Sequence, residues 1–266
     1  ENPMTKRRMH HLFAPDGRAF VLAMDHAALM PSPALRDPCH VIREAVAGGV
    51  DAVLTTYGVV KACQKDLGRV GVILRGDGGA STLKKPMGQL ECLYTAEDAL
   101  RLGADAMLVM GYPGSEHNEQ TLSCLARLAA DCDRWGLPLG AEMLPFGFEK
   151  PADESWTVEN LTFAARQGAE LGADFIKTAF VGAERFREVT ENCPVPVMVL
   201  GGSGAVGLEA LLGEVKMALS VGATGVIMGR NIYSHRNVGG VCAAVAAIIH
   251  GDASIKEAMQ LAGVEA

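Results

Sequence analysis

From residue 19 to the end of the chain, short apolar runs of strand character alternate with longer stretches whose apolar positions recur at helical spacing. The strand-like runs fall at residues 19–24, 52–55, 70–74, 106–110, 139–143, 175–178, 197–200 and 225–228, which makes eight. Regular alternation of this kind is the pattern of βα units around a parallel sheet. Several of the strands share a lead-in, Gly49-Val50-Asp51, Gly103-Ala104-Asp105, Gly172-Ala173-Asp174 and Gly222-Ala223-Thr224, in which glycine ends a helix before the chain turns into the strand. The recurrence predicts an α/β fold, a single (β/α)8 TIM barrel over residues 1–266 with a short N-terminal closing helix around Met9-His10-His11-Leu12-Phe13. An open doubly wound sheet is the alternative, because periodicity does not report closure. Residues 75–97, with Gly76, Gly78, Gly79 and Pro86, predict a long loop after the third strand, and loops of that length in compact domains often carry function.

Composition narrows the function class. The chain has 266 residues, 49% hydrophobic and 21% charged, enough for one large core, with a net charge of -7 that offers no basic footprint for nucleic acid. No apolar run reaches the roughly 20 residues that span a bilayer, and Glu1-Asn2-Pro3-Met4 lacks the order of a secretory signal, so no membrane partner and a cytoplasmic location are expected. Seven cysteines are dispersed singly with no C-x-x-C pair, which reads as reduced thiols serving as small apolar residues.

In a barrel of this kind the active site lies at the C-terminal ends of the strands, so polar residues that end apolar strands carry the candidate chemistry. Lys177 ends the sixth predicted strand; loss of solvation there would favour the neutral amine that attacks a ketone, while the bland reading is a paired lysine. Asp25 and His26 end the first strand, where a carboxylate could take a substrate proton or stabilise an iminium, or simply cap the following turn. Glu142 stands in an apolar strand beside that of Lys177 and suits a proton shuttle for a carbinolamine, or a paired structural carboxylate. Glycine-rich ends on the last two strands, with Gly201, Gly202 and Ser203 and then Gly229 and Arg230, suit a phosphate dianion. Residues 202–207 also fit G-x-G-x-x-G, yet no acidic residue follows at the distance a dinucleotide site requires. Arg75, Asp77 and His117 follow the third and fourth strands as further contact candidates. His26, His117 and His235 lie on different predicted loops without metal-ligand spacing, so neither a metal nor a cofactor is expected.

These residues resemble the class I aldolase family that groups archaeal-type fructose-bisphosphate aldolases, aminodideoxyheptulosonate synthases and the autoinducer-2 phosphate thiolase. The resemblance spans residues 19–262 and is carried by Leu22-Ala23-Met24-Asp25-His26, by residues 172–178, by Val199-Leu200-Gly201-Gly202 and by residues 225–232. It implies a Schiff-base role for Lys177, proton transfer by Asp25, phosphate binding by the glycine and arginine segments, and a homo-oligomer such as a decamer. Two departures qualify it. Where the fructose-bisphosphate branch has a Tyr-Pro-Arg-Gly run with its proton-donating tyrosine, this chain reads Leu144-Pro145-Phe146-Gly147, so Glu142, His117 or Tyr112 would have to serve. Ser203-Gly204 stands where relatives often carry lysine, leaving Arg230 as the main phosphate charge.

The sequence therefore predicts a metal-independent class I aldolase acting on a phosphorylated small-molecule keto substrate. A coenzyme A-dependent thiolase acting on a phosphorylated diketone is the first alternative. A flavin-binding oxidoreductase barrel is the second, and a non-catalytic sugar-phosphate sensor the third.

Overall fold

A computed structural model describes residues 6–84, 89–201 and 207–263. Its strands are β1 (Ala19–Ala23), β2 (Ala52–Thr55), β3 (Gly71–Arg75), β4 (Asp77–Gly78), β5 (Glu91–Cys92), β6 (Ala106–Gly111), β7 (Leu139–Met143), β8 (Phe175–Thr178), β9 (Val197–Leu200) and β10 (Gly225–Met228). Eight of them close a barrel in the order β1-β2-β3-β6-β7-β8-β9-β10, with β10 pairing back onto β1 and every ladder parallel. All eight predicted strands are present within a residue of their expected bounds, and closure decides between the barrel and the open sheet. The β4–β5 hairpin, antiparallel through Asp77↔Cys92 and Gly78↔Glu91, lies inside the long loop after β3 and was not foreseen.

Alternation along the strands sorts two cores. Phe20, Leu22, Val53, Val72, Leu74, Met107, Val109 and Ile176 face the surrounding helices, whereas Val21, Ala23, Leu54, Ile73, Leu108, Phe175, Met198 and Ile227 fill the interior. The helical turn Arg7–His11 plugs the N-terminal end as expected, sending Met9, Leu12 and Phe13 into the interior cluster, with Phe13 edge-on to Phe175 at 6.5 Å between ring centroids. Gly140 leaves room for Phe175, since any side chain there would collide with its ring.

The repeated lead-in has a second physical reason besides helix termination. Asp51 Oδ2 accepts from Phe20 N at 2.7 Å, Asp105 Oδ2 from Val72 N at 3.0 Å, and Asp174 Oδ2 from Leu139 N at 2.8 Å. Each aspartate thus satisfies a backbone donor at the start of the preceding barrel strand, stitching neighbouring βα units at the floor.

The reading of the cysteines as wholly reduced is overturned. Cys39 is bonded to Cys63 and Cys92 to Cys124, pairs whose Cα atoms lie 5.2 and 5.8 Å apart. The partners are 24 and 32 residues apart in sequence, a spacing without a pattern of its own, and only the fold brings them together. Cys132, Cys193 and Cys242 are free and buried, consistent with the apolar role.

Candidate active site

The inward positions Ala23, Ile73 and Phe175 fix where the next polar side chains go. Two residues further along, period-two alternation turns Arg75 and Lys177 into the barrel at its C-terminal mouth, and Asp25 follows Ala23 there in the helical turn Asp25–Ala28. Glu142 is the register partner of Lys177 on the adjacent strand, so the two side chains lie next to each other. Lys177 is 4% exposed and Glu142 7%, and Lys177 Nζ sits 2.9 Å from Glu142 Oε2. The carboxylate is thus within hydrogen-bond distance of the only nitrogen of the lysine side chain, where a general base for that amine would have to stand.

Arg75 forms the second half of the cluster. Its Nη1 donates to Asp25 Oδ2 at 2.5 Å and lies 4.0 Å from Glu142 Oε2, while its Nε donates to Asp77 Oδ1. Asp77 in turn accepts from Met110 N at 2.8 Å through its other oxygen, so the guanidinium is clamped to the backbone of β6. Burial would raise the Asp25 carboxyl, but the charges of Arg75 and Lys177 outweigh it and hold Asp25 below the usual carboxylate range. Asp25 Oδ1 is buried with no hydrogen-bond partner among the described residues, and His26 Nδ1 lies 3.8 Å from it. His26 is held below its ordinary value chiefly by burial, with Asp25 opposing, so its imidazole is neutral near pH 7.

Lys177 stands where two cavities meet. One, of about 220 Å³, is lined by Asp25, Arg75, Tyr112, Glu116, His117 and Glu149 among others. The other, of about 290 Å³, is lined by Trp156, Leu200, Gly201, Gly229, Arg230 and Asn231. His26, Glu142, Phe148 and Lys177 border both. Together the two have the size of a small-molecule site.

Of the residues singled out in the sequence, Lys177, Asp25, Glu142, His26 and Arg75 converge, with Asp77 bonded to Arg75 from behind. His117 lies across the first cavity, and Gly201, Gly229 and Arg230 line the second. Gly202 and Ser203 lie outside the described residues. Phe148, Glu149 and Trp156 were not singled out. They are placed by the turn Leu144-Pro145-Phe146-Gly147, where Phe146 and Gly147 adopt φ of 59° and 57° and Phe146 N donates to Pro113 O at 2.8 Å, folding the chain after β7 against that after β6. A non-glycine residue at positive φ leaves no clear sequence signal beyond the glycine that follows it.

Residues 19–235 match the family model described as DeoC/LacD family aldolase. The chain is 36% identical to the 2-amino-3,7-dideoxy-D-threo-hept-6-ulosonate synthase of Halobacterium salinarum, over 94% of this chain and 93% of that one. It is 32% identical to the 3-hydroxy-5-phosphonooxypentane-2,4-dione thiolase of Klebsiella pneumoniae, covering 95% and 83% of the two chains. Among solved structures, an archaeal fructose 1,6-bisphosphate aldolase superposes with a TM-score of 0.84 at 28% identity, covering 92% of this chain and 98% of that one. An archaeal fructose-1,6-bisphosphate aldolase with its catalytic lysine covalently bound to a carbinolamine intermediate superposes with a TM-score of 0.83 at 28% identity, covering 91% and 98%.

Proposed function

The chain belongs to the DeoC/LacD family of aldolases, a class I, Schiff-base lyase, and from that premise we propose that Lys177 forms the covalent iminium with a phosphorylated keto substrate. The observation that carries the reading is the buried Lys177–Glu142 pair at the junction of two cavities.

Glu142 accepts a proton from the Lys177 ammonium, and the free amine adds to the substrate ketone to give a carbinolamine. Glu142 returns the proton to the departing hydroxyl, water leaves, and the iminium takes up the electron pair released when the carbon–carbon bond breaks. Asp25 takes the proton of the substrate hydroxyl in that step, and an aldehyde departs. Asp25 gives the proton it took to the carbon of the enamine left on Lys177, and water hydrolyses the resulting iminium, releasing the keto product. The iminium is the electron sink, so the route calls for no metal ion. The cavity lined by Arg230, Gly201 and Gly229 suits the phosphate: it combines a cation with backbone that no side chain shields. The same lysine would serve acyl transfer from a phosphorylated diketone, and coenzyme A dependence separates the two outcomes.

Lys177→Met keeps the length and apolar stem of the side chain and removes the nucleophile. Carbon–carbon cleavage should fall by at least about 10³-fold while circular dichroism is unchanged. Retained turnover in the variant would refute the assignment.

A further inference from the structure

The two cavities that meet at Lys177 carry opposite charge. On the side of Arg230, the bordering groups are Lys177 and Arg230 against Glu142 alone. On the other side, four carboxylates, Asp25, Glu116, Glu142 and Glu149, face two cations, Arg75 and Lys177. Both of those cations are already engaged, Arg75 by Asp25 and Asp77 and Lys177 by Glu142. No cation is therefore left on this side to meet an anionic ligand among the described lining residues.

The far wall of the first cavity, which carries His117, is tied together by a backbone hydrogen bond. Glu149 Oε1 accepts from Glu116 N at 2.8 Å, and Glu116 Oε1 lies 3.4 Å from His117 Nε2. Two polar groups of the cavity stand without a partner among the described residues: His117 Nδ1, which is buried, and the hydroxyl of Tyr112, a residue only 6% exposed that lines the cavity. The Tyr112 hydroxyl is left to bond water or a ligand. Burial pushes the Tyr112 phenol upward, so its hydroxyl remains a neutral hydrogen-bond donor.

We infer that this cavity selects a phosphate-free aldehyde, recognised through its hydrogen-bonding groups by Tyr112 and His117, and that Glu116 and Glu149 reject a second phosphate by charge. The full substrate then carries one phosphate, at the keto end. The inference rests on the aldolase reading of Lys177 for its orientation. A phosphate dianion beside two carboxylates, with no free cation among the described lining residues, is repelled in a partly enclosed site more strongly than in bulk water. The same wall leaves hydroxyl groups unaffected.

The test uses unreactive polyols, which form no Schiff base: a hexitol monophosphate and a hexitol bisphosphate, titrated calorimetrically into the full chain at low ionic strength. The monophosphate should bind at least about tenfold more tightly than the bisphosphate, and Glu116→Gln/Glu149→Gln should shrink that ratio to within about threefold. Should the double variant misfold, Glu116→Gln alone and added salt must each narrow the ratio. Equal or tighter bisphosphate binding, no binding of either polyol, or a ratio indifferent to the substitutions overturns the inference. So does a divalent cation that restores bisphosphate binding, because the wall would then be a metal site. Borohydride trapping of a phosphorylated ketone at Lys177 is scored separately: its failure with an intact ratio removes the aldolase reading and leaves the charge selection standing.

Discussion

Glu142 and Lys177 neutralise each other in a place where neither is well solvated, so neither can be removed without leaving the other unbalanced. Glu142→Gln preserves the shape and a hydrogen bond to Nζ but removes the carboxylate proposed to accept the proton. Iminium formation, followed by rapid quench with borohydride, should slow by about 10²- to 10⁴-fold; a change under about threefold would assign the proton to another group. Lys177 and Glu142 were legible because each interrupts an apolar strand near its C-terminal end, where alternation fixes the direction of the side chain, and Asp25 because it follows an apolar strand at the barrel mouth. Arg75 was legible as a site residue but not in its role. Its partners Asp25 and Asp77 lie 50 and 2 residues away, and only barrel closure shows that it is bonded to both. Glu149 and Glu116 meet through a turn whose geometry rests on Phe146 at positive φ, which the residues themselves do not announce.

At the scale of elements, the barrel floor is held by charge as well as by packing. His250, near the end of the helix Val238–Gly251, places Nδ1 2.8 Å from Asp16 and Nε2 3.0 Å from Asp51. The hydrogen bond to Asp51 and then that to Asp16 outweigh burial and push the imidazole up to about 9. Because the folded value lies above the unfolded one near 6.5, this clamp contributes fully below pH 6.5 and is lost as the pH rises through about 9. The shift corresponds to about 3 kcal/mol between pH 6 and pH 9.5, which solvent screening of this partly exposed clamp reduces to about 2 kcal/mol in denaturant unfolding, and His250→Ala should flatten that slope. A slope unchanged by the substitution would place the titration elsewhere. The disulfides are the other device at this scale: Cys92–Cys124 fastens the β4–β5 hairpin to the helix Asn118–Arg134 beside the site. Thiol titration of the denatured, unreduced chain should count three free thiols, those of Cys132, Cys193 and Cys242. A count of seven would mean that neither bridge forms. No spacing rule could have foretold these pairs, since they join different βα units.

The whole molecule was the most legible level. Eight apolar runs at βα spacing, with a recurring Gly-x-Asp lead-in, are enough for the barrel because the lead-in aspartates hold the strand starts and alternation fills the interior. Closure and the split of the mouth into two cavities of unlike charge depend on how distant strands and loops meet, which periodicity does not encode. What unites the scales is one lysine at the junction of those cavities. The most direct test of that claim is borohydride reduction of the intact enzyme with a panel of phosphorylated ketones, followed by peptide mass mapping. One substrate equivalent should be fixed on the peptide that contains Lys177, and none in Lys177→Met. A reducible adduct on another lysine, or turnover of a trapped-competent substrate with no adduct at all, would contradict the account.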